Sequence, residues 1–308
     1  MGGYHRGETA VQERAGFARQ AGQARGAIGN TVPDVAVAFL AQQPHLVAGA
    51  ADERGRIWAT QLTGDPGFLT VPGPHTLRIG ALPPPEDPLA PLLTGAGSGS
   101  GPVQVGLIGI EPATRRRMRM NGRAVRDGDG LRVELDQVIS NCPKYIQKRD
   151  HHHPDKATPV PRKAVDSREL SPAQQRTLRA ADTFFVATAS DRGDADASHR
   201  GGNPGFVQVL SPRLLRWPDY AGNAMFLTLG NLALNPAAGL FVPGWETGTS
   251  LHLTGSARTV WDEEAVARTP GAQRLVEFEI TAVREVASAS PLRWSAPAYS
   301  RFNPPTGA

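Results

Sequence analysis

"TASDRGDADASHRGGNPGFVQV", residues Thr188–Val209, has a gapless counterpart earlier in the chain: "AADERGRIWATQLTGDPGFLTV", residues Ala50–Val71. The two share an Arg-Gly turn, a later Gly-x-Pro-Gly-Phe and a closing Val. Two more blocks recur in the same order. "GLIGIEPATRRRMRMNGRA" (Gly106–Ala124) matches "GLFVPGWETGTSLHLTGSA" (Gly239–Ala257), and "VELD" (Val133–Asp136) matches "VEFE" (Val276–Glu279). Three blocks in register indicate an internal duplication rather than scattered coincidences.

Each copy opens with a helix signal. In "PDVAVAFLAQQ", Asp34 is expected to cap. In "SPAQQRTLRAAD", Ser171 is the cap, Pro172 takes the first helical position and Gln174 completes a capping box. Short apolar runs follow, "HLVAGAA" and "FFVATAS", each leading into a hairpin-type turn, "DERG" or "SDRG". In "LVEFEITAV", Val276, Phe278 and Ile280 alternate with Glu277, Glu279 and Thr281, as in a half-buried strand. Each half is therefore expected to be a helix followed by about six antiparallel strands, and such strands lose their exposed edges by curling into a small barrel. The fold class is mainly β with short helices (α+β). The expected units are 1–147, 148–170 as a polar, Pro-rich linker, and 171–308. The stretch from Leu82 to Gly101 is expected to be a loop with a Gly/Ser tip.

Composition narrows the function. The chain has 308 residues, a formal charge of +4 carried mostly by Arg, and one cysteine, Cys142. A single cysteine excludes an intrachain disulfide, and Cys142 has no resolving partner, so it is read as a small packed residue. The opening segment lacks the apolar core of a signal peptide, and no run approaches a membrane helix; a cytoplasmic protein without membrane contact is the expectation. The basic residues are not interleaved with aromatics, so nucleic acid is not an expected partner. No GxGxxG turn, P-loop or zinc spacing is present. His151–His153 lie in the expected linker and do not share a face, which suits adventitious rather than built metal binding.

The run "FFVATASDRGDADASHRGG…MFLTLGNLALNPAAGLFV…LHLTGSARTVWD" resembles the pyridoxamine 5′-phosphate oxidase-like split-barrel flavoproteins. A two-copy, flavin-nucleotide-binding branch is similar also in "HxGE" (His5, Gly7, Glu8), "RRR…NGR" (Arg115–Arg117, Asn121–Arg123) and "NCPKYIQ" (Asn141–Gln147). The resemblance implies tandem split β-barrels packed as a pseudo-dimer, with FMN in the seam. It implies an oxidoreductase acting on a small molecule with an electron donor such as NAD(P)H, and it is compatible with a further homodimer. A deazaflavin or haem ligand, or a non-catalytic flavin store or sensor, are the alternatives.

Under that resemblance the strand Ser198, His199, Arg200, Gly201, Gly202 runs along the flavin, the two glycines letting a flat ring approach the backbone. Without it the same residues read as a glycine bulge with Arg200 in solvent. In single-copy relatives a Ser–Arg–Lys stands where this chain has Asn231, Leu232 and Ala233. Thr228, Leu229, Gly230 and Asn231 are left to offer a hydroxyl, an amide and N–H groups to a phosphate. The missing cations must then come from Arg200, Arg116, Arg117 or Lys144. Along the "RRRMRMNGR" strand, Arg116 shares a face with Met118 and Met120, and Arg117 shares one with Arg115 and Arg119. The alternative for this stripe is an exposed basic edge. Trp294 is expected over the cofactor or as a packing anchor of the tail. His199 is the catalytic candidate, on its place beside the flavin strand alone.

Overall fold

The structure is a computed structural model that describes residues 3–96, 101–140, 143–154 and 160–306. Cys142 and the Gly/Ser loop tip at 97–100 lie outside the described residues. The first copy contains strands β1 (His45–Ala51), β2 (Ile57–Thr63), β3 (Leu69–Gly73), β4 (Thr76–Ile79), β5 (Val103–Glu111), β6 (Arg116–Asp127) and β7 (Gly130–Ser140). The second contains β8 (Thr183–Ala189), β9 (Ala195–Gly201), β10 (Gln208–Ser211), β11 (Leu214–Tyr220), β12 (Ala237–Pro243), β13 (Ser250–Val260) and β14 (Ala272–Ala287). The strand order is β2-β1-β5-β6-β7-β4-β3 in one sheet and β9-β8-β12-β13-β14-β11-β10 in the other, so the two topologies are identical. They are tandem split barrels, each with one strand more than expected. A short eighth strand joins each sheet: Ile28–Gly29 on β7, and Lys163–Ser167, from the expected linker, on β14.

The duplication extends to defects. β6 and β7 slip register at Asn121/Gly122, and β13 and β14 slip at the corresponding Thr254/Gly255. At both bulges a side chain in place of glycine would collide with a facing carbonyl, that of Glu134 or Glu279. Bulges of this kind bend strands, and here they curl each sheet at one position.

Helices α1 (Arg6–Arg14), α2 (Ala18–Ala24), α3 (Asp34–Ala41), α4 (Ala90–Leu93), α5 (Pro172–Ala180), α6 (Leu227–Leu234) and α7 (Glu263–Ala267) lie outside the sheets. Ser171 and Gln174 form the expected capping box on α5. On α3 the cap residue is Pro33, and Asp34 is instead the first helical residue, where its charge still favours the helix dipole. The "HxGE" run turns out to be a second capping box: His5 Nδ1 accepts from the Gly7 and Glu8 amides, and the Glu8 carboxylate accepts from the His5 amide. Gly7 and Gly230 lie where α1 crosses α6, and any side chain at either would strike the other helix. Although α1 precedes the first barrel in sequence, it packs on the second, placing Val11 in that barrel's core.

Each barrel has its own core, and a third apolar cluster joins them. It includes Val47, Ala59, Ile108 and Ile110 from the first copy and Phe185, Ala187, Ala197 and Phe241 from the second. Gly49 and Ala187 are equivalent positions of the repeat and face each other, so the pseudo-twofold axis passes between them. The strands meet so closely that a Cβ on Gly106 would enter the Asp196 backbone, and one on Gly239 would enter that of Ile57 and Trp58. Burial of this cluster rather than a few surface pairs holds the barrels together. Among the described residues no helix is long and apolar enough to cross a membrane.

Candidate functional site

A cleft opens in the seam between the barrels, enclosing about 1020 Å³ of space that merges with solvent. Its floor is the end of β9, with His199, Arg200 and Gly201. One wall is β6 of the other barrel, contributing Arg117 and Arg119, with Lys144 and Tyr145 beyond it. The opposite wall is the end of β11, the 221–226 loop and the start of α6, with Thr228 and Leu229.

Strand alternation explains how cations reach an interior place. Met118 and Met120 fill the first barrel's core, so Arg117 and Arg119 project from the barrel's outer face. In an isolated barrel that face is wet; here the second barrel covers it. Arg119 forms a buried ion pair with Asp196 at 3.3 Å, and Thr228 donates to the same carboxylate at 3.3 Å. Arg117 donates to His199 Nδ1 at 3.0 Å. A guanidinium cannot accept, so His199 Nδ1 must be the bare nitrogen and its remaining proton sits on Nε2. Burial holds the imidazole's pKa well below its ordinary value, reinforced by Arg117, Arg200 and Arg119. His199 is therefore a neutral hydrogen-bond donor, and Nε2 has no partner among the described residues. It cannot serve as the imidazolium that a proton-donor role near neutral pH requires.

Arg200 is half-buried at the cleft; its Nη1 donates to Ser198 Oγ at 2.8 Å while its Nε has no partner among the described residues. Burial lowers its pKa, opposed by Asp219. Burial likewise raises the Asp219 carboxyl, opposed by Arg200 and Arg274. Arg274, 3.3 Å from Asp219, is wedged between Phe226 and Trp261. The Tyr145 hydroxyl donates to the Ala221 carbonyl at 3.0 Å and so ties the two walls together.

Backbone strain concentrates here. Among the described residues, non-glycine residues with positive φ are Arg115, Tyr145, Ala224, Phe226 and Ser288; Tyr145, Ala224 and Phe226 all line the cleft. Each such residue costs about 1–2 kcal/mol. Strain held at one place is characteristic of a site shaped for a ligand. Phe226 also begins α6 without a side-chain cap, leaving the helix's first amides toward the cleft.

The expected site residues divide accordingly. His199, Arg200, Gly201, Thr228, Leu229, Arg117 and Lys144 line the cleft. Ser198 is buried behind it, supporting Arg200. Gly201 also meets the chain itself: a Cβ there would strike the Tyr145 carbonyl beside it. Gly202 accommodates the Phe206 ring. Gly230 is the helix-crossing glycine, and Asn231 bonds Thr188 and His5, so neither faces the cleft. Arg116 is exposed at the strand start, paired with Glu111 at 2.7 Å, because alternation inside the barrel begins only at Met118. Trp294 packs among His45, His151 and Trp245, away from the cleft, and is a tail anchor. Arg119, Asp219, Tyr145 and Phe226 were not among the expected ligands. For Arg119 the signal was present, since it shares a face with Arg117.

The pseudo-twofold generates a second seam, and it has lost its charge. The repeat equates Arg117, Arg119, Arg200 and Lys144 with Ser250, His252, Leu62 and Ala287. There Asp87, carried by the 82–101 loop, is buried against the Thr60 hydroxyl, and His252 Nδ1 bonds the Ala59 carbonyl. The recess left at Gln61, Trp245 and Trp294 encloses about 200 Å³.

Two split barrels of identical topology thus share a seam in which cationic side chains from both line one cleft. The model of the pyridoxamine 5′-phosphate oxidase family matches residues 170–290, the second barrel. Solved structures similar to this chain include a Lactobacillus delbrueckii protein named for pyridoxamine 5′-phosphate oxidase: 17% identity, 39% of this chain, 98% of that one, TM-score 0.33. An FAD-binding protein from Mycobacterium smegmatis is similar at 18% identity, covering 39% of this chain and 98% of that one, TM-score 0.28. An FMN-binding protein from Syntrophomonas wolfei is similar at 8% identity, covering 37% and 84%, TM-score 0.29. No curated protein matches the chain.

Proposed function

We propose that the seam cleft holds one FMN per chain and that the protein is a flavin-dependent oxidoreductase acting on a small molecule. The observation that carries this is the convergence of Arg117 and Arg119 from one barrel with Arg200 of the other on a strained cleft. Three buried donors at the cleft that lack partners among the described residues, Arg119 Nε, His199 Nε2 and Arg200 Nε, suit an acceptor-rich anionic ligand. The uncapped start of α6 adds amides suited to a phosphate. The match of the pyridoxamine 5′-phosphate oxidase family model to residues 170–290 supports the same reading.

The flavin, when bound, supplies the electron or hydride transfer. The chain's residues bind, orient and shield it. Arg117, Arg119, Arg200 and Lys144 offset its negative charge, and Arg117 fixes the His199 tautomer so that Nε2–H can donate to a ring acceptor. Tyr145, locked to Ala221, holds the two walls at a fixed spacing. The neutral state of His199 favours a second reading, a flavin store or sensor, because it removes the imidazolium as a proton source.

Visible absorption of the purified protein, then titration with FMN, tests the main reading. A flavin spectrum saturating at one FMN per chain is expected, with Arg117→Met or Arg200→Met weakening binding about ten- to a hundredfold. A haem or deazaflavin spectrum, or no uptake of FMN, refutes it. Reduction of bound flavin by NAD(P)H with rapid reoxidation by a small-molecule acceptor separates enzyme from store.

A further inference from the structure

Gln147 closes the Asn141–Gln147 run, and the cofactor reading gives it no part. It is 2% exposed and joins three pieces of the chain. Its Nε2 faces the carbonyls of Tyr145 at 3.1 Å, Gly202 at 3.1 Å and Asp182 at 3.3 Å. Its Oε1 accepts from the Ser300 amide at 2.8 Å and from Asn303 Nδ2 at 2.9 Å. The carbonyls and the Ser300 N–H are backbone groups that cannot exchange roles, so the side-chain amide has one orientation.

Two of these carbonyls adjoin the cleft. Tyr145 is a wall residue of positive φ, and its carbonyl lies against Gly201 of β9; Gly202 follows on the same strand. The donors to Oε1 belong to the C-terminal tail, which has further holds here. Ala298 pairs with Lys148, Asn303 Nδ2 also donates to Asn203 Oδ1 at 3.0 Å, and Asn203 donates to the Pro304 carbonyl at 3.1 Å. Phe302 has its ring 5.8 Å from the ammonium of Lys144, a cleft residue.

We propose that Gln147 is a positioning residue of the seam cleft and that the C-terminal tail sets it: Ser300 and Asn303 orient the Gln147 amide, which holds the Tyr145 wall against the β9 end. With the tail undocked, Oε1 loses both donors, and a buried acceptor without partners pulls the side chain away from the three carbonyls. The consequence for FMN rests on the cofactor reading above; the coupling of tail to cleft does not.

Asn303 is half-buried and belongs to neither barrel core, so substitutions there spare both. Asn303→Ala removes one donor to Gln147. Asn303→Asp sets a carboxylate oxygen against both Gln147 Oε1 and Asn203 Oδ1, and it regains a donor only when protonated. FMN affinity of the full chain, read by quenching of flavin fluorescence, should fall about three- to tenfold in Asn303→Ala, by the same factor at every pH. In Asn303→Asp it should fall by more than about tenfold near pH 8 and recover toward wild type near pH 5, a reversal that a merely loosened fold does not show. In the ligand-free chain, hydrogen exchange over residues 143–149 and 198–203 should be at least about threefold faster in both variants. If wild type takes up no FMN, the cofactor reading falls and the exchange comparison decides the coupling; if Asn303→Asp does not fold, Asn303→Ala decides it. Affinities within about twofold of wild type, a deficit in Asn303→Asp that ignores pH, or unchanged exchange would overturn the proposal.

Discussion

Replacing Glu8 with Gln should change how the protein's stability depends on pH, and in an unusual direction. The carboxyl titrates near 4.5 when unperturbed and at about 8 in the fold, raised chiefly by burial. Between those values the folded state holds a proton that the unfolded chain has lost. Unfolding therefore releases a proton, and stability falls as pH rises through the window. From pH 6.5 to 8.0 this one group removes about 1.7 kcal/mol. The buried histidines His45, His199 and His252 work oppositely, since burial lowers each pKa, with about 0.4 kcal/mol apiece still to be gained above pH 6.5, a term common to wild type and variant that cancels in their comparison. Urea unfolding of wild type and Glu8→Gln at pH 6.5 and 8.0 isolates the Glu8 contribution as a difference of differences. The wild type should lose about 1.7 kcal/mol more than the variant over that interval. Equal losses would mean that Glu8 is ionised throughout and that the account of its surroundings is mistaken.

Other substitutions probe the seam. Arg119→Met strands the buried Asp196 carboxylate and should cost about 3–5 kcal/mol in urea unfolding, with Asp196→Asn in the same chain recovering part of the loss. Gly106→Ala drives a Cβ into the backbone of the other barrel and should cost about 1–3 kcal/mol, read as a lower melting temperature; an unchanged melting temperature would show that the barrels separate easily. Ala224→Gly relieves a left-handed residue on the cleft wall and should stabilise the protein by up to about 1 kcal/mol, while a loss would mean that the methyl is a packing contact.

The repeat made the barrels legible, because a duplicated pattern of turns and apolar runs can fold only into duplicated structure. Even the loss of the second cleft's charges was readable, with Leu62 standing opposite Arg200 in the alignment. What alternation could not reveal is which polar face becomes buried. Arg117 and Arg119 look like an exposed stripe until the second barrel is docked, and Arg116, two residues before Met118, looks inward but sits at the fraying end. Trp294 misled because a tail's destination is not encoded locally. The 221–226 loop carries a Gly222-Asn223 turn signal, but nothing in the sequence marks Ala224 and Phe226 as left-handed, and their surroundings hold them so. The "HxGE" capping box was open to recognition, since His5 Nδ1 can do what a serine hydroxyl does.

The two ends of the chain each lie on the other's barrel. Helix α1 rests against α6, while the tail bonds Arg115, Gln147 and Lys148 beside the first barrel. A single nick between residues 154 and 160 should thus leave a particle that stays whole, its fragments interlocked like clasped hands. Either fragment produced alone would lack the piece that seals it, and co-expression of the two should restore what separate expression cannot.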